Sequence, residues 1–263
     1  MEIDLSYLSL VGMYALMLLP LGIFLYLRLG IARAMLVGMA RMSVQLVLVG
    51  LYLKYIFQLN NPIISLLWVA VMLVVANLSI LSKAGLRRRV FFWRSLAAVA
   101  GSTLFVSAWF ILVAIRPEPL YDARYMVPIV GMVLGNCLRG NVLSLERFYS
   151  GIRQNENEFT TYLMLGATLH EAVRPYLRRA LKAAVNPNIA TMATMGIVSL
   201  PGMMTGQILG GVLPMEAIKY QVAIMICIFT AMVAASLANI LLSLPVAFDD
   251  HQRLRENIFS SSG

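Results

Sequence analysis

Long apolar runs separated by short polar stretches dominate the chain. A helix needs roughly 20 apolar residues to cross about 30 Å of hydrocarbon. By that criterion the pattern predicts seven membrane-spanning helices, near residues 5–27, 34–57, 63–82, 95–115, 126–143, 188–211 and 218–244. The runs are too long for the short, alternating strands of an outer-membrane barrel. The predicted fold class is therefore an all-α, polytopic membrane protein.

The composition agrees with this pattern. Of 263 residues, 60% are hydrophobic and 13% charged, whereas a soluble domain has about a quarter of its residues charged. The first span is expected to be retained rather than cleaved as a signal peptide, because the acidic residues Glu2 and Asp4 precede it and Arg28 and Arg33 follow it. The whole chain, 1–263, is predicted to be a single membrane-spanning domain with one long cytoplasmic loop at 144–187.

The formal net charge of +9 is explained by topology rather than by nucleic-acid binding. With the N-terminus outside and the C-terminus inside, most basic residues fall in inner loops or the tail, as membrane insertion favours. The run from Lys83 to Arg89 is interpreted as a stop-transfer signal and anionic-lipid contact. The inner set is Arg28, Arg33, Lys83, Arg87, Arg88, Arg89, Arg94, Arg147, Arg153, Arg174, Arg178, Arg179, Lys182, Arg253 and Arg255.

Several enzyme classes lack their signatures. No GxxxxGK[ST] phosphate loop occurs, so energy from nucleotide hydrolysis would have to come from a partner. His170 and His251 have no acidic or thiol ligand at metal spacing, and Cys137 and Cys227 lie in apolar stretches. Neither a nucleophile elbow nor an intramembrane carboxylate pair is present. The chain is therefore not expected to be an enzyme.

The long inner loop predicts a helical hairpin. Residues 145–165 have helical composition, so the fifth span should continue into the cytoplasm until Gly166 and Ala167 break it. Thr168 and Glu171 have the spacing of a capping box, which begins a second, basic helix. That helix is predicted to be kinked by Pro175 and to end at Asn186-Pro187. A juxtamembrane helix lying on lipid is the alternative.

The sixth predicted span, 188–211, contains a helix breaker near its middle. Pro201 lacks a backbone donor and Gly202 follows it, so the helix should be broken at Ser199, Leu200, Pro201 and Gly202. Freed carbonyls at membrane depth must be buried in protein or face a wet cavity, and transporters place substrate at such breaks. A close-packing seam through Gly206 and Gly210 is the alternative interpretation.

Methionines accumulate on the same segment. Met192, Met195, Met203 and Met204 lie there, with Met132 and Met225 on neighbouring spans. Thioether sulfur prefers soft metals, so Met203 and Met204 are the candidate metal ligands. Flexible core filling is the alternative role.

Some polar residues fall inside the second and third predicted spans. Gln45 and Asn77 are candidates for the substrate pathway, since intramembrane polar groups usually face a bundle interior or a wet path. Arg41 either does the same or extends to the inner headgroups.

Three stretches carry a family resemblance: GIVSLPGMMTG at 196–206, PMEAIKYQ at 214–221 and LGAT at 165–168. Together they resemble the Fet-type permeases of bacterial iron-exporting ABC transporters, a family that includes plant aluminium-tolerance permeases. LGAT is also similar to the Glu-Ala-Ala…Gly coupling loop of ABC permeases. Thr160, Thr161 and Tyr162 stand where Glu-Ala-Ala is expected.

The resemblance implies a permease of the bacterial inner membrane that exports iron or another metal ion as a homodimer. A separate cytosolic ATPase would bind ATP and Mg, leaving no cofactor in this chain and no nucleic-acid partner. Gly166, Ala167, Thr168 and Glu171 would couple that ATPase to the membrane helices. An ATP-independent carrier or channel is the alternative, although no inverted repeat or intramembrane acidic residue supports it. A receptor or scaffold is a third class.

Overall fold

A computed structural model describes residues 6–119 and 121–259, apart from the side chains of Tyr7 and Leu8. Glu2 and Asp4 lie outside the described residues. The contacts divide the chain into two compact units, Met1–Leu59 and Asn60–Gly263. Apart from three isolated bridges, the regular elements of the described residues are helical.

Among the described residues, the first unit contains the helices α1 (Tyr7–Ala15), α2 (Leu18–Tyr26) and α3 (Ala32–Leu59). The described part of the second unit contains α4 (Pro62–Lys83), α5 (Arg88–Phe110), α6 (Ala123–Gln154), α7 (Glu156–Met164), α8 (Leu169–Thr194), α9 (Gly202–Leu209) and α10 (Pro214–Ala247). A π-helical turn, Ile111–Ile115, extends α5, and a short 3-10 helix, Glu256–Ile258, lies in the tail.

Among the described residues, six helical stretches are long and apolar enough to cross a membrane. They match six of the seven predicted spans and confirm the polytopic helical fold. The segment 188–211 is different, because it forms the end of α8, a break and the eight-residue α9. The exact number of crossings and the orientation of the chain stay predictions.

Local sequence explains where several helices begin. Asn61 accepts a hydrogen bond at its Oδ1 from the Ile63 N–H at 2.9 Å, and Pro62 occupies the first turn, where its missing N–H costs nothing. Asp122 caps α6 in the same way through the Arg124 N–H at 2.9 Å. These side chains replace the backbone acceptors that a first helical turn lacks.

The core of the second unit lies where α10 packs against α5 and α6, with α4 and α8 on α6. Buried polar groups join three of these helices. The Asn239 amide donates to Asn141 Oδ1 at 2.8 Å and to Ser95 Oγ at 3.0 Å. Such bonds hold helices together where water is absent.

The end of α6 and the start of α5 lie beside the C-terminal segment. The Arg87 N–H donates to the Ile258 carbonyl at 2.7 Å, and the Arg153 guanidinium lies 4.8 Å from the centre of the Phe259 ring. The tail and two loops predicted to be on the inner side therefore share one end of this unit.

Candidate functional site

The turn between α7 and α8 has a defined backbone conformation. Gly166 has a φ of +90°, and its N–H donates to the Leu163 carbonyl at 3.0 Å. The next N–H, of Ala167, donates to the Tyr162 carbonyl at 3.1 Å. These two bonds form a Schellman motif, which favours glycine at the residue with positive φ. The break predicted at Gly166-Ala167 is thereby confirmed.

The predicted capping box begins α8 immediately afterwards. The Glu171 carboxylate accepts from the Thr168 N–H and hydroxyl, each at 2.8 Å, and the Glu171 N–H donates to the Thr168 hydroxyl at 3.4 Å. The bonds from the Thr168 backbone and side chain lower the pKa of Glu171. One residue, Ala167, separates the two caps, so the turn is closely constrained.

Glu158 holds the hairpin together. Its two carboxylate oxygens accept from the hydroxyls of Tyr162, at 2.9 Å, and Tyr176, at 3.3 Å. Burial, together with the negative charge and hydrogen bond of Glu158, raises the pKa of Tyr176 to about 12. The hydrogen bond to Glu158 also raises the pKa of Tyr162. Phe159 packs on Tyr176 with ring centres 6.3 Å apart, so α7 is held against α8.

Two large apolar side chains protrude at this turn. Met164 is 81% exposed and Leu165 79% exposed, beside the polar Thr168 and Glu171. Adjacent exposed apolar groups on a polar turn are typical of a surface that contacts a protein partner or the membrane.

Helix α8 does not end at Asn186-Pro187 as predicted. It continues to Thr194 with both Pro175 and Pro187 inside it. Each proline removes only one helical hydrogen bond, and packing of the preceding turns on α6 offsets that loss. The basic hairpin helix and the first part of the predicted sixth span are therefore one element of 26 residues.

The predicted break after α8 is confirmed, and it begins earlier than expected. Met195 leaves the helical conformation, and Gly196 follows with a φ of +87°. The Gly196 N–H donates to the Ser199 carbonyl at 2.9 Å, and Pro201 precedes the first residue of α9, Gly202. Glycine at 196 therefore takes part in the break as well as proline at 201.

A cavity of about 390 Å³ opens between the break and α10. It lies against the end of α8, the break, α9 and the first third of α10. Its walls are formed by Met192, Met195, Gly196, Leu200, Pro201, Met204, Ile218, Gln221, Val222, Met225 and Ile226.

The structure separates the residues predicted for the substrate pathway. Leu200, Pro201 and Met204 line the cavity, whereas Ser199, in the break, and Gly202, the first residue of α9, do not. Met203, the other predicted metal ligand, packs against the apolar cluster formed by α5, α6 and α10. The two adjacent methionines thus have different surroundings.

Asn77 does not line the cavity, and Gln45 belongs to the first unit. Asn77 is fully buried on α4 and donates to the Phe92 carbonyl of α5 at 3.0 Å, so it joins two helices. Gln45 lies on α3 of the first unit and is exposed. Neither position is part of the methionine-lined wall.

Sequence reasoning missed Gln221. It is 6% exposed on α10, and its Oε1 is buried without a hydrogen-bond partner. A polar side chain near the start of the predicted span 218–244 was the available signal. The described residues contain no group of three or more His, Cys, Asp or Glu side chains able to hold a metal ion.

Comparison with known proteins gives the family. Residues 7–248 match the model described as "Uncharacterised protein family (UPF0014)". The chain belongs to this family. No solved structure matches it.

Three relatives in the family illustrate its range. The UPF0014 membrane protein YjkA of Bacillus subtilis is 34% identical over 96% of this chain and 99% of its own. Protein ALUMINUM SENSITIVE 3 of Arabidopsis thaliana is 31% identical over 86% of this chain and 82% of its own. The probable iron export permease protein FetB of Escherichia coli is 29% identical over 81% and 80%, respectively. The family resemblance read from the sequence is confirmed, and the chain is a multi-pass membrane protein of a permease family.

Proposed function

We propose that this chain is the membrane-spanning subunit of an ABC transporter and that it exports iron or another metal ion. Two copies would pair with two copies of a separate cytosolic ATPase, which binds ATP and Mg. A relative named as a probable iron export permease supports the proposal. The bacterial inner membrane is the proposed location.

The observation that carries the proposal is the course of α8. This helix begins at the capped turn and ends at Thr194, beside the cavity. At 1.5 Å per residue, its 26 residues span about 39 Å. One element therefore connects the proposed ATPase contact with the proposed substrate site.

The turn has the properties required of an ATPase contact. Met164 and Leu165 offer apolar anchors, and the adjoining caps fix their direction. A few side chains that become buried at an interface carry most of its binding energy. In this mechanism the turn lies in a groove of the ATPase, whose closure on ATP moves α8 and changes the side on which the cavity opens.

Gly166→Ala tests the coupling role, and Gly85→Ala is its matched control. Both glycines have positive φ, +90° and +68°, and an added Cβ at either position meets no atom within 4 Å. Each substitution therefore imposes a comparable left-handed strain of about 1–2 kcal/mol. Gly166→Pro is a stronger version, because it also removes the N–H that donates to Leu163.

The measurements are ATPase stimulation and metal transport in vesicles that contain the chain and its co-purified ATPase. We expect both to fall in the Gly166 variants and to stay near wild type in Gly85→Ala. If Gly166→Ala and Gly85→Ala lower ATPase stimulation and transport equally, the turn contributes only to the stability of the chain. Transport without any ATPase would favour a carrier or channel instead, and ATP hydrolysis by the chain alone would overturn the assignment.

A further inference from the structure

We propose that the cavity between the helix break and α10 binds a soft, monovalent metal ion through methionine sulfur. The ligands are the thioethers of Met192, Met195, Met204 and Met225, together with the amide oxygen of Gln221. This inference rests on the proposed function only where it treats the ion as the transported substrate. Binding of the ion to the chain is a separate property that can be measured without transport.

The composition of the wall indicates a soft ion. Four of the eleven lining residues are methionines, and the described lining contains no carboxylate, histidine or thiol. Hard ions such as Mg²⁺ take oxygen ligands, whereas thioethers select Cu(I) and chemically similar ions. A neutral site in an apolar wall also favours a single positive charge over two, because the desolvation cost rises with charge.

Gln221 supplies the second, independent observation. Its side chain is nine-tenths buried, and its Oε1 accepts no hydrogen bond. Leaving such an acceptor unpaired costs about 1–3 kcal/mol. The terminal amide torsion is soft, so a half-turn can present the oxygen to the cavity, where a cation would satisfy it.

The size of the cavity is compatible with this occupant because methionine is flexible. A volume of about 390 Å³ exceeds that of one ion, but each side chain has three rotatable bonds and can move its sulfur inward. A lipid chain or small apolar molecule would also enter such a volume. Leucine side chains would contact a lipid chain or an apolar molecule as well as methionine side chains do. Such a molecule would also leave Oε1 of Gln221 without a hydrogen-bond partner.

The neighbouring methionines Met203 and Met204 provide a matched control. Both lie on α9 and are partly exposed, but only Met204 lines the cavity. Replacement by leucine keeps the volume and apolar character while removing the sulfur. Met225→Leu makes the same change from α10, on the opposite wall.

The experiment measures Ag⁺ binding to the purified full-length chain in lipid nanodiscs, without the ATPase. Ag⁺ is a redox-inert probe for Cu(I) sites. All variants carry Cys137→Ala and Cys227→Ala, because both cysteines are free thiols that would compete for the ion. Titration calorimetry against a competing thioether gives the stoichiometry and affinity.

We expect one saturable Ag⁺ site per chain. Met204→Leu and Met225→Leu should each weaken it roughly tenfold or more, about 1.4 kcal/mol, with Met203→Leu unchanged. Gln221→Leu should weaken it as well. With selenomethionine in the chain, absorption at the selenium edge should show silver as a neighbour.

The inference would be overturned by the absence of a saturable site, by an equal loss in Met203→Leu, or by tighter binding of Fe²⁺ or Mg²⁺ than of Ag⁺. A co-purified lipid or organic molecule that is retained in the cavity when Ag⁺ is added would overturn it too. None of these results involves the ATPase, so the permease role would still be decided by the Gly166 and Gly85 variants.

Discussion

Gly140 on α6 is the position where an added methyl group should disturb the core of the second unit most directly. A Cβ there would lie 2.4 Å from Met232 Cγ and 2.9 Å from its Sδ. Met232 is fully buried on α10, and its sulfur accepts from the Asn188 amide of α8 at 2.8 Å. Since α6, α8 and α10 meet at this point, Gly140→Ala must displace a side chain held on several sides.

Two effects of opposite sign decide the size of the change. Overpacking a filled core costs typically about 1–3 kcal/mol, while replacing glycine with alanine inside a helix gains about 1 kcal/mol. Gly135 lies on the same helix and is exposed, and an added Cβ there meets no atom within 4 Å. Gly135→Ala therefore shows the gain without the clash. We expect Gly140→Ala to be less stable than Gly135→Ala by about 1–3 kcal/mol.

Reversible unfolding in mixed detergent micelles, followed by circular dichroism, measures this difference. Met232→Ala removes the obstacle, so adding Gly140→Ala to that variant should cost much less than adding it to the wild-type chain. Equal stability of Gly140→Ala and Gly135→Ala would refute the reasoning, as would strict additivity in the double variant.

Three further changes test other contacts. Asn239→Leu should lower the free energy of unfolding by about 1–3 kcal/mol, because it leaves the buried amide oxygen of Asn141 on α6 without its donor. The side chain of Asn136 donates only within α6, so Asn136→Leu should lower the free energy of unfolding less in the same assay. Tyr176→Phe should lower the free energy of unfolding by about 0.5–1.5 kcal/mol. Tyr162→Phe should lower it less, because Tyr176 is buried and Tyr162 is not. The Glu171 carboxylate stabilises the turn at neutral pH, and this contribution is lost as the pH falls through its lowered pKa. The protection of the amides in the first turn of α8, measured relative to their intrinsic exchange rate at each pH, should therefore decrease in acid, and Glu171→Gln should remove that dependence.

Short-range features could be predicted from the sequence. The capping box at Thr168 and Glu171 depends on residues three apart, and the turn at Gly166 depends on one left-handed residue. The helix break followed from the missing donor of Pro201. In each case the cause lies within a few residues along the chain, as a side-chain cap, a left-handed glycine or a missing backbone donor, so distant packing has little influence.

Features that depend on tertiary packing were missed. Pro187 predicted a helix end, but α8 passes through it after packing on α6. The hydrogen bond from Asn77 to the Phe92 carbonyl depends on the packing of α4 on α5 and could not be read from the sequence. Met203 and Met204 are chemically identical and adjacent, and only their placement relative to α10 and the core distinguishes them. The sequence cannot show which way each side chain of a short, disrupted helix turns.

The burial pattern of α8 shows how movement at the turn would reach the cavity. Its first 16 residues carry a buried stripe of Ala172, Val173, Tyr176, Ala180 and Ala184, at the spacing of one helical face. After Ala184 none of its residues is buried, and Pro187 lacks the donor that would tie the last turns to those before. The part nearest the turn should therefore move together with α6, while the part beyond Asn188, which carries Met192, can change its angle. The proposed coupling therefore requires the first part of α8 to be held by α6 and the last part to be able to change its angle.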